Sequence, residues 1–124
     1  MAKYQNDVIL DTALDYIKNN VTQECVCSAQ PTTYAEATST YKLAIKTGLT
    51  SGSFTGPADG SPNGRKLTVN EQASITVDTG GDATHIALCS GSVLLYVTTC
   101  TLQTLTGGNT VTVPLWTITL ADAS

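Results

Sequence analysis

The spacing of hydrophobic residues changes near residue 21, and this change divides the chain into two parts. From Val8 to Asn20, apolar residues recur every three or four positions, which is the spacing of one face of an α-helix. Asn6 or Asp7 can cap the beginning of this helix. The apolar positions are Ile9, Leu10, Ala13, Leu14, Ile17 and, just beyond the helix, Val21. The pattern predicts one amphipathic helix whose apolar stripe is covered by a sheet.

After residue 21, short segments alternate between apolar and polar positions, as β-strands do. The predicted strands cover residues 22–29, 41–47, 65–69, 73–78, 84–89, 92–101 and 110–120. Residues 32–40 are predicted to form a short helix, because Thr33 to Glu36 resembles a capping box. In the last strand the alternation changes phase at Pro114, which cannot donate to a β-ladder. We therefore expect a bend or a sheet edge there.

The segment 48–64 is predicted to be the longest loop. It carries the turn signals Gly56-Pro57, Asp59-Gly60 and Asn63-Gly64, while Phe54 is predicted to anchor a short strand inside it. Loops of this length often form interfaces.

The fold class predicted from these elements is α+β, mostly β. One N-terminal amphipathic helix packs on a small antiparallel β-sandwich or partly open barrel. A length of 124 residues fits a single domain, with an N-terminal arm and helix over residues 1–20 and a β domain over residues 21–124.

Composition adds that the surface of this domain carries few charges. The chain has 22 threonines, and charged residues make up 13% of it, about half the ~25% usual for soluble domains. Threonine suits a half-exposed pleated surface and keeps it hydrated without charge. These observations predict a β domain that works through its surface.

Charge and hydropathy also exclude two classes of partner. The net charge is −4, and the six Lys and Arg residues do not cluster beyond the pairs Lys42/Lys46 and Arg65/Lys66, so we expect no nucleic-acid binding. No segment approaches the ~20 apolar residues of a membrane span, and the N-terminus lacks the apolar region of a signal peptide. We expect a protein made in a cytoplasm, with no membrane partner.

Few residues are candidates for catalysis or metal binding. The single histidine, His85, lies in an apolar strand without a catalytic motif around it, so no enzymatic activity is predicted. A small hydrolase or metal protein that uses His85 with cysteines is the rival interpretation. Asp11 and Asp15 are interpreted as a solvated helix face. Asp59, Asp78 and Asp82 lie in Gly-rich turns, but without the dense carboxylates of a calcium loop. We predict no cofactor and no metal.

Four cysteines, Cys25, Cys27, Cys89 and Cys100, allow several interpretations. Cys25 and Cys27 are two residues apart on a predicted strand, so their Cα atoms lie about 6.6 Å apart. This separation is at the far limit for a disulfide, so we do not expect these two residues to bridge each other. Four-thiolate zinc sites usually use C-x₂-C spacing on turns. Buried free thiols are the leading interpretation, and disulfides, including disulfides between subunits, are the alternative.

Several stretches resemble small virion structural proteins of tailed bacteriophages, and the resemblance extends over nearly the whole chain. The similar segments are residues 6–17, 27–34, 64–67, 83–88, 94–97 and 108–116. Cys25, Cys89 and Cys100 are additional to the pattern of that group.

The resemblance implies a non-enzymatic virion protein made in the host cytoplasm. Among the possible virion roles, the first choice is a capsid decoration or cement protein on the head surface that bridges subunits of the major capsid protein. By analogy it also implies a homo-oligomer, for which a trimer would be suitable. The alternatives are a neck or tail component, or a surface β module that binds a host glycan or receptor through exposed Tyr34, Tyr41, Tyr96 and Trp116. The residues predicted to form the interface are Lys3, Tyr4, Asn6, Phe54, Asp59, Arg65 and Lys66.

Overall fold

A computed structural model describes residues 7–59 and 64–120, with Asp7 and Asp59 described as backbone only. The helix α1 spans Asp7–Asn20. The strands are β1 Gln23–Cys27, β2 Lys42–Lys46, β3 Phe54–Asp59, β4 Arg65–Val69, β5 Gln72–Thr76, β6 Gly81–Cys89, β7 Leu94–Leu105, β8 Thr110–Val113 and β9 Trp116–Leu120. A π-helical turn, Glu36–Thr40, and a 3₁₀ turn, Ser51–Ser53, complete the elements.

The described strands form three antiparallel groups. β2-β1-β6-β7 is a four-stranded sheet, β3-β4-β9 a three-stranded sheet, and β5-β8 a pair. A bridge between Ala44 and Val77 joins β2 to the end of β5, which makes the strand order β8-β5-β2-β1-β6-β7 continuous. This curved arrangement is not closed, because β7 and β8 do not pair with each other. The predicted mostly-β α+β class is confirmed.

Helix α1 packs through one face on β3 and β4. Leu10, Leu14 and Ile17 lie on this face, and Leu14 is completely buried. Arg65 Nε of β4 donates to Asp11 Oδ1 at 2.7 Å, so the helix is also held by an ion pair. The interpretation of Asp11 as part of a solvated face is therefore wrong.

The predicted helix stripe is also too wide. Ile9 is 58% exposed and Ala13 is exposed. The apolar residues of α1 occupy more of the helix circumference than one sheet can cover. The face that carries Leu10, Leu14 and Ile17 is buried, and the adjacent face that carries Ile9 and Ala13 is exposed to solvent.

Three clusters of apolar side chains form the core. The first lies between the four-stranded sheet and the β5-β8 pair. The second lies between α1, the three-stranded sheet and the other end of the four-stranded sheet. The third lies on the opposite face of the four-stranded sheet, covered by Tyr34, Ala37 and Tyr41. Trp116 of β9 packs against both the first and the second cluster.

The segment predicted as a loop, residues 48–64, contains strand β3, which pairs with β4. Phe54 lies opposite Val69 and is 4% exposed within the second cluster, so its prediction as an interface residue is wrong. The turn-forming residues at Gly56-Pro57 lie within the strand, where the register shifts between Thr55 and Ala58. Such an irregularity explains why turn signals did not end the strand.

Two strands are longer than predicted. β6 begins at Gly81 and β7 continues to Leu105, because these two residues pair with each other. The predicted interruption at Pro114 is confirmed, since it separates β8 from β9.

Candidate binding site: the seam between β7 and β8

β7 and β8 follow each other in the chain but do not pair. They are joined by residues 106–109, a connection short enough for a hairpin. β7 instead pairs with β6, and β8 pairs with β5. Among the described strands, neither has a partner on its other edge. Residues of both strands line one space, which we call the β7–β8 seam.

The seam contains a cavity of about 560 Å³. Its lining is formed by Val26, Ala83, Ile86, Thr98, Thr99, Cys100, Thr101, Gln103, Leu105, Val111, Thr112, Val113, Pro114, Trp116 and Thr117. Apolar side chains of β1 and β6 form the floor, and threonines predominate on the walls. No lining residue carries a charge. Consecutive residues of β7 line the cavity, which means that its main chain as well as its side chains form the wall.

Trp116 connects the seam with the protein interior. Its ring stacks on Tyr96 with a centroid separation of 6.0 Å and an interplanar angle of 26°. Its Nε1 donates to Glu24 Oε2 at 3.2 Å. The indole ring thus lines the seam, while its Nε1 is held by the hydrogen bond to Glu24.

Glu24 is a buried carboxyl group that the sequence reasoning missed. It lies on β1 with no exposed surface, and its Oε1 has no hydrogen-bond partner. Desolvation raises the pKa of Glu24 from 4.5 to about 7, and the hydrogen bond from Trp116 partly opposes this rise. The available signal was its position beside two cysteines in Gln23–Cys27, where the neighbouring residues are buried.

The cysteines are free thiols in two environments. Cys25, Cys27 and Cys89 are fully buried in the third cluster, and Cys100 is half-buried in the seam wall. Burial raises the pKa of Cys27 to about 12, and its Sγ donates to Ala37 O at 3.6 Å. A hydrogen bond with Cys89, together with burial, raises the pKa of Cys25 as well. In the structure all three are buried thiols. Cys25 and Cys27 are poor nucleophiles because the thiolate is disfavoured, whereas the hydrogen bond with Cys25 lowers the pKa of Cys89.

The other predicted interface residues do not assemble into one site. Arg65 is paired with Asp11, and Lys66 is half-buried on β4. Lys3, Tyr4 and Asn6 lie outside the described residues, as does the side chain of Asp59.

The candidate residues for chemistry and for glycan stacking are also dispersed. His85 is half-buried on β6, with its Nδ1 2.8 Å from Thr84 Oγ1. Within the described ranges, no group of three or more His, Cys, Asp or Glu residues is placed to hold a metal ion. Four aromatic residues are half-buried rather than exposed: Tyr34, Tyr41, Tyr96 and Trp116.

Comparison of the chain with protein-family models, curated proteins and solved structures gives no match. In the part of the chain that the structure describes, no helix is long and apolar enough to span a membrane.

Proposed function

We propose that this protein is a non-enzymatic structural component of a tailed-bacteriophage particle. Its role is that of a head decoration protein that bridges neighbouring subunits of the major capsid protein. The sequence resemblance supports the assignment to virion proteins. A mostly β domain with a weakly charged surface is compatible with it.

The observation that carries the proposal is the uncharged free edge of β7. None of the residues of Leu94–Leu105 is charged. The second half of the strand is largely exposed, and Leu102 has 60% of its surface accessible. Solvent-facing edge strands usually carry Lys or Pro, which discourage pairing with other chains. An edge without either, on a surface poor in charge, shares with the centre of protein interfaces the depletion of charged residues.

A bridging protein needs a second contact surface, and the outer face of α1 provides one. Ile9, Ala13 and Tyr16 are exposed there, with Tyr16 at 59%. Two neighbouring charges are occupied within the domain, because Asp11 pairs with Arg65 and Lys18 donates to Gly56 O, while Asp15 is half-buried beside this face. The result is a largely uncharged surface formed by Ile9, Ala13 and Tyr16.

Binding to capsids tests the proposal. Purified protein is mixed with shells that lack it, the shells are sedimented, and bound copies are counted by densitometry. We expect saturation at a fixed ratio to the major capsid protein and greater resistance of the shells to heat. Leu102→Lys should reduce binding at least tenfold, whereas Val93→Lys, at an exposed apolar position outside β7, serves as the matched control.

Two results would reject the decoration role. One is failure to bind mature shells. The other is the presence of only a few copies in whole virions, which would assign the protein to the neck or tail.

A further inference from the structure

We propose that the β7–β8 seam binds an extended, uncharged segment of a partner protein, which inserts as a strand between β7 and β8. The inference deepens the proposed function, which identifies the partner as a capsid subunit. The chemistry of the seam itself does not depend on that identity.

The topology defines the shape of the occupant. Six strands in the order β8-β5-β2-β1-β6-β7 curve into an incomplete barrel. All the pairings are antiparallel, so β7 and β8 run in opposite directions. A strand placed between them would therefore be antiparallel to one and parallel to the other. It would hydrogen-bond to both free edges and complete the barrel, as in recognition by β-strand addition.

The lining defines the chemistry of the occupant. The cavity is bordered by uncharged residues, and Val26, Ala83 and Ile86 form its floor. A charged side chain inserted here would lose water without gaining a counter-ion. Alternate side chains of an inserted strand would point to the floor, and these must be apolar. The residues between them face outwards and can be Ser or Thr.

The length of β8 sets the length of the inserted segment. Four residues, Thr110–Val113, correspond to about 13 Å of strand at about 3.3 Å per residue. The pairing on this side therefore involves about four residues of the partner. A small apolar molecule would fill the floor of the cavity but would leave the backbone groups of both walls without matched partners, which favours a peptide.

Trp116 provides a direct measurement, because it is the single tryptophan of the chain and lines the seam. The probe is the capped peptide acetyl-Gly-Thr-Val-Thr-Val-Thr-Gly-amide, titrated while Trp116 emission is followed. We expect a saturable change in emission. The same peptide with N-methylated valines cannot donate from those residues and should bind at least tenfold more weakly. A peptide with Lys in place of both valines should not bind.

Variants of the protein locate the site. Thr101→Lys and Thr117→Lys place a charge on exposed positions of the seam lining, and each should weaken peptide binding at least tenfold. Thr76→Lys, at an exposed position of β5 outside the seam, should bind as the wild type does. Circular dichroism of each variant verifies that it is folded.

Several results would overturn the inference. Equal binding of the N-methylated peptide would exclude strand addition, and no response at millimolar peptide would exclude the site. Self-association abolished by Thr101→Lys would mean that a second copy, and not a partner protein, occupies the seam. Two further results would concern the decoration role and not the seam site itself. Capsid binding by Thr101→Lys at wild-type affinity would show that capsids bind elsewhere, and peptide binding without capsid binding would reject the decoration role while supporting the seam site.

Discussion

Replacing Glu24 with glutamine should remove a pH-dependent loss of stability that its burial creates. Raising the pKa from 4.5 to about 7 means that ionising this carboxyl costs about 3 kcal/mol more in the folded protein than in the unfolded chain, since each tenfold change in proton affinity is about 1.4 kcal/mol. The neutral amide of Glu24→Gln retains an oxygen for the hydrogen bond from Trp116 and cannot ionise.

The direction of the effect follows from proton binding in the two states. Below pH 4.5, Glu24 is protonated in both the folded and the unfolded chain, so it does not change the free energy of unfolding. Between pH 4.5 and 7 the unfolded chain releases the proton while the folded protein retains it, so the free energy of unfolding falls as the pH rises. Above pH 7 the folded carboxyl also ionises, and the loss levels off at about 3 kcal/mol.

Urea denaturation followed by circular dichroism from pH 4.5 to 8 measures this effect. Because other groups titrate in the same range, the informative quantity is the difference in unfolding free energy between Glu24→Gln and wild type at each pH. That difference should grow with pH by about 3 kcal/mol, equivalent to a melting-temperature difference of roughly 10 °C. Glu71→Gln, at an exposed carboxylate, is the control and should show no such growth. A difference that stays constant from pH 4.5 to 8 would refute the reasoning.

Three further predictions concern the core, the ion pair and the thiols. Leu88→Ala, at a completely buried position, should lower the unfolding free energy by about 2–5 kcal/mol in urea denaturation, whereas Leu102→Ala should change it by less than about 0.5 kcal/mol; equal losses would contradict the assigned burial. Asp11→Asn should cost about 1 kcal/mol or less, because both its side chain and that of Arg65 are partly exposed, and the cost should shrink in 1 M salt if it is electrostatic. In native protein, Cys100 should react with a thiol reagent at least tenfold faster than the three buried cysteines, as mapped by mass spectrometry, and rapid labelling of a second thiol would contradict this.

The elements of the fold were largely predictable because their signals are local. Alternation identified most of the strands, and the change of phase at Pro114 located the separation of β8 from β9. The errors arose where a distant contact overrides a local signal. Gly56-Pro57 marks a turn in the sequence, yet pairing with β4 keeps this segment in strand β3.

The candidate site was not predictable in the same way. Glu24 and Trp116 are 92 positions apart, and neither residue signals the other in the sequence. Residues 106–109 resemble an ordinary hairpin connection, but the strands that they join pair with β6 and β5 instead. The seam results from that choice of partners.

By itself, the sequence determined the helix, most of the strands, the scarcity of charge and the mostly β class, because periodicity and composition depend on neighbours within one element. Only the tertiary structure decided which apolar face of α1 is buried, that the carboxyl group of Glu24 is removed from solvent, and which strand edges are left unpaired. These features depend on how elements that are far apart in the chain pack on one another. One sheet can cover only one side of a helix, and six strands can form a sheet that does not close into a barrel.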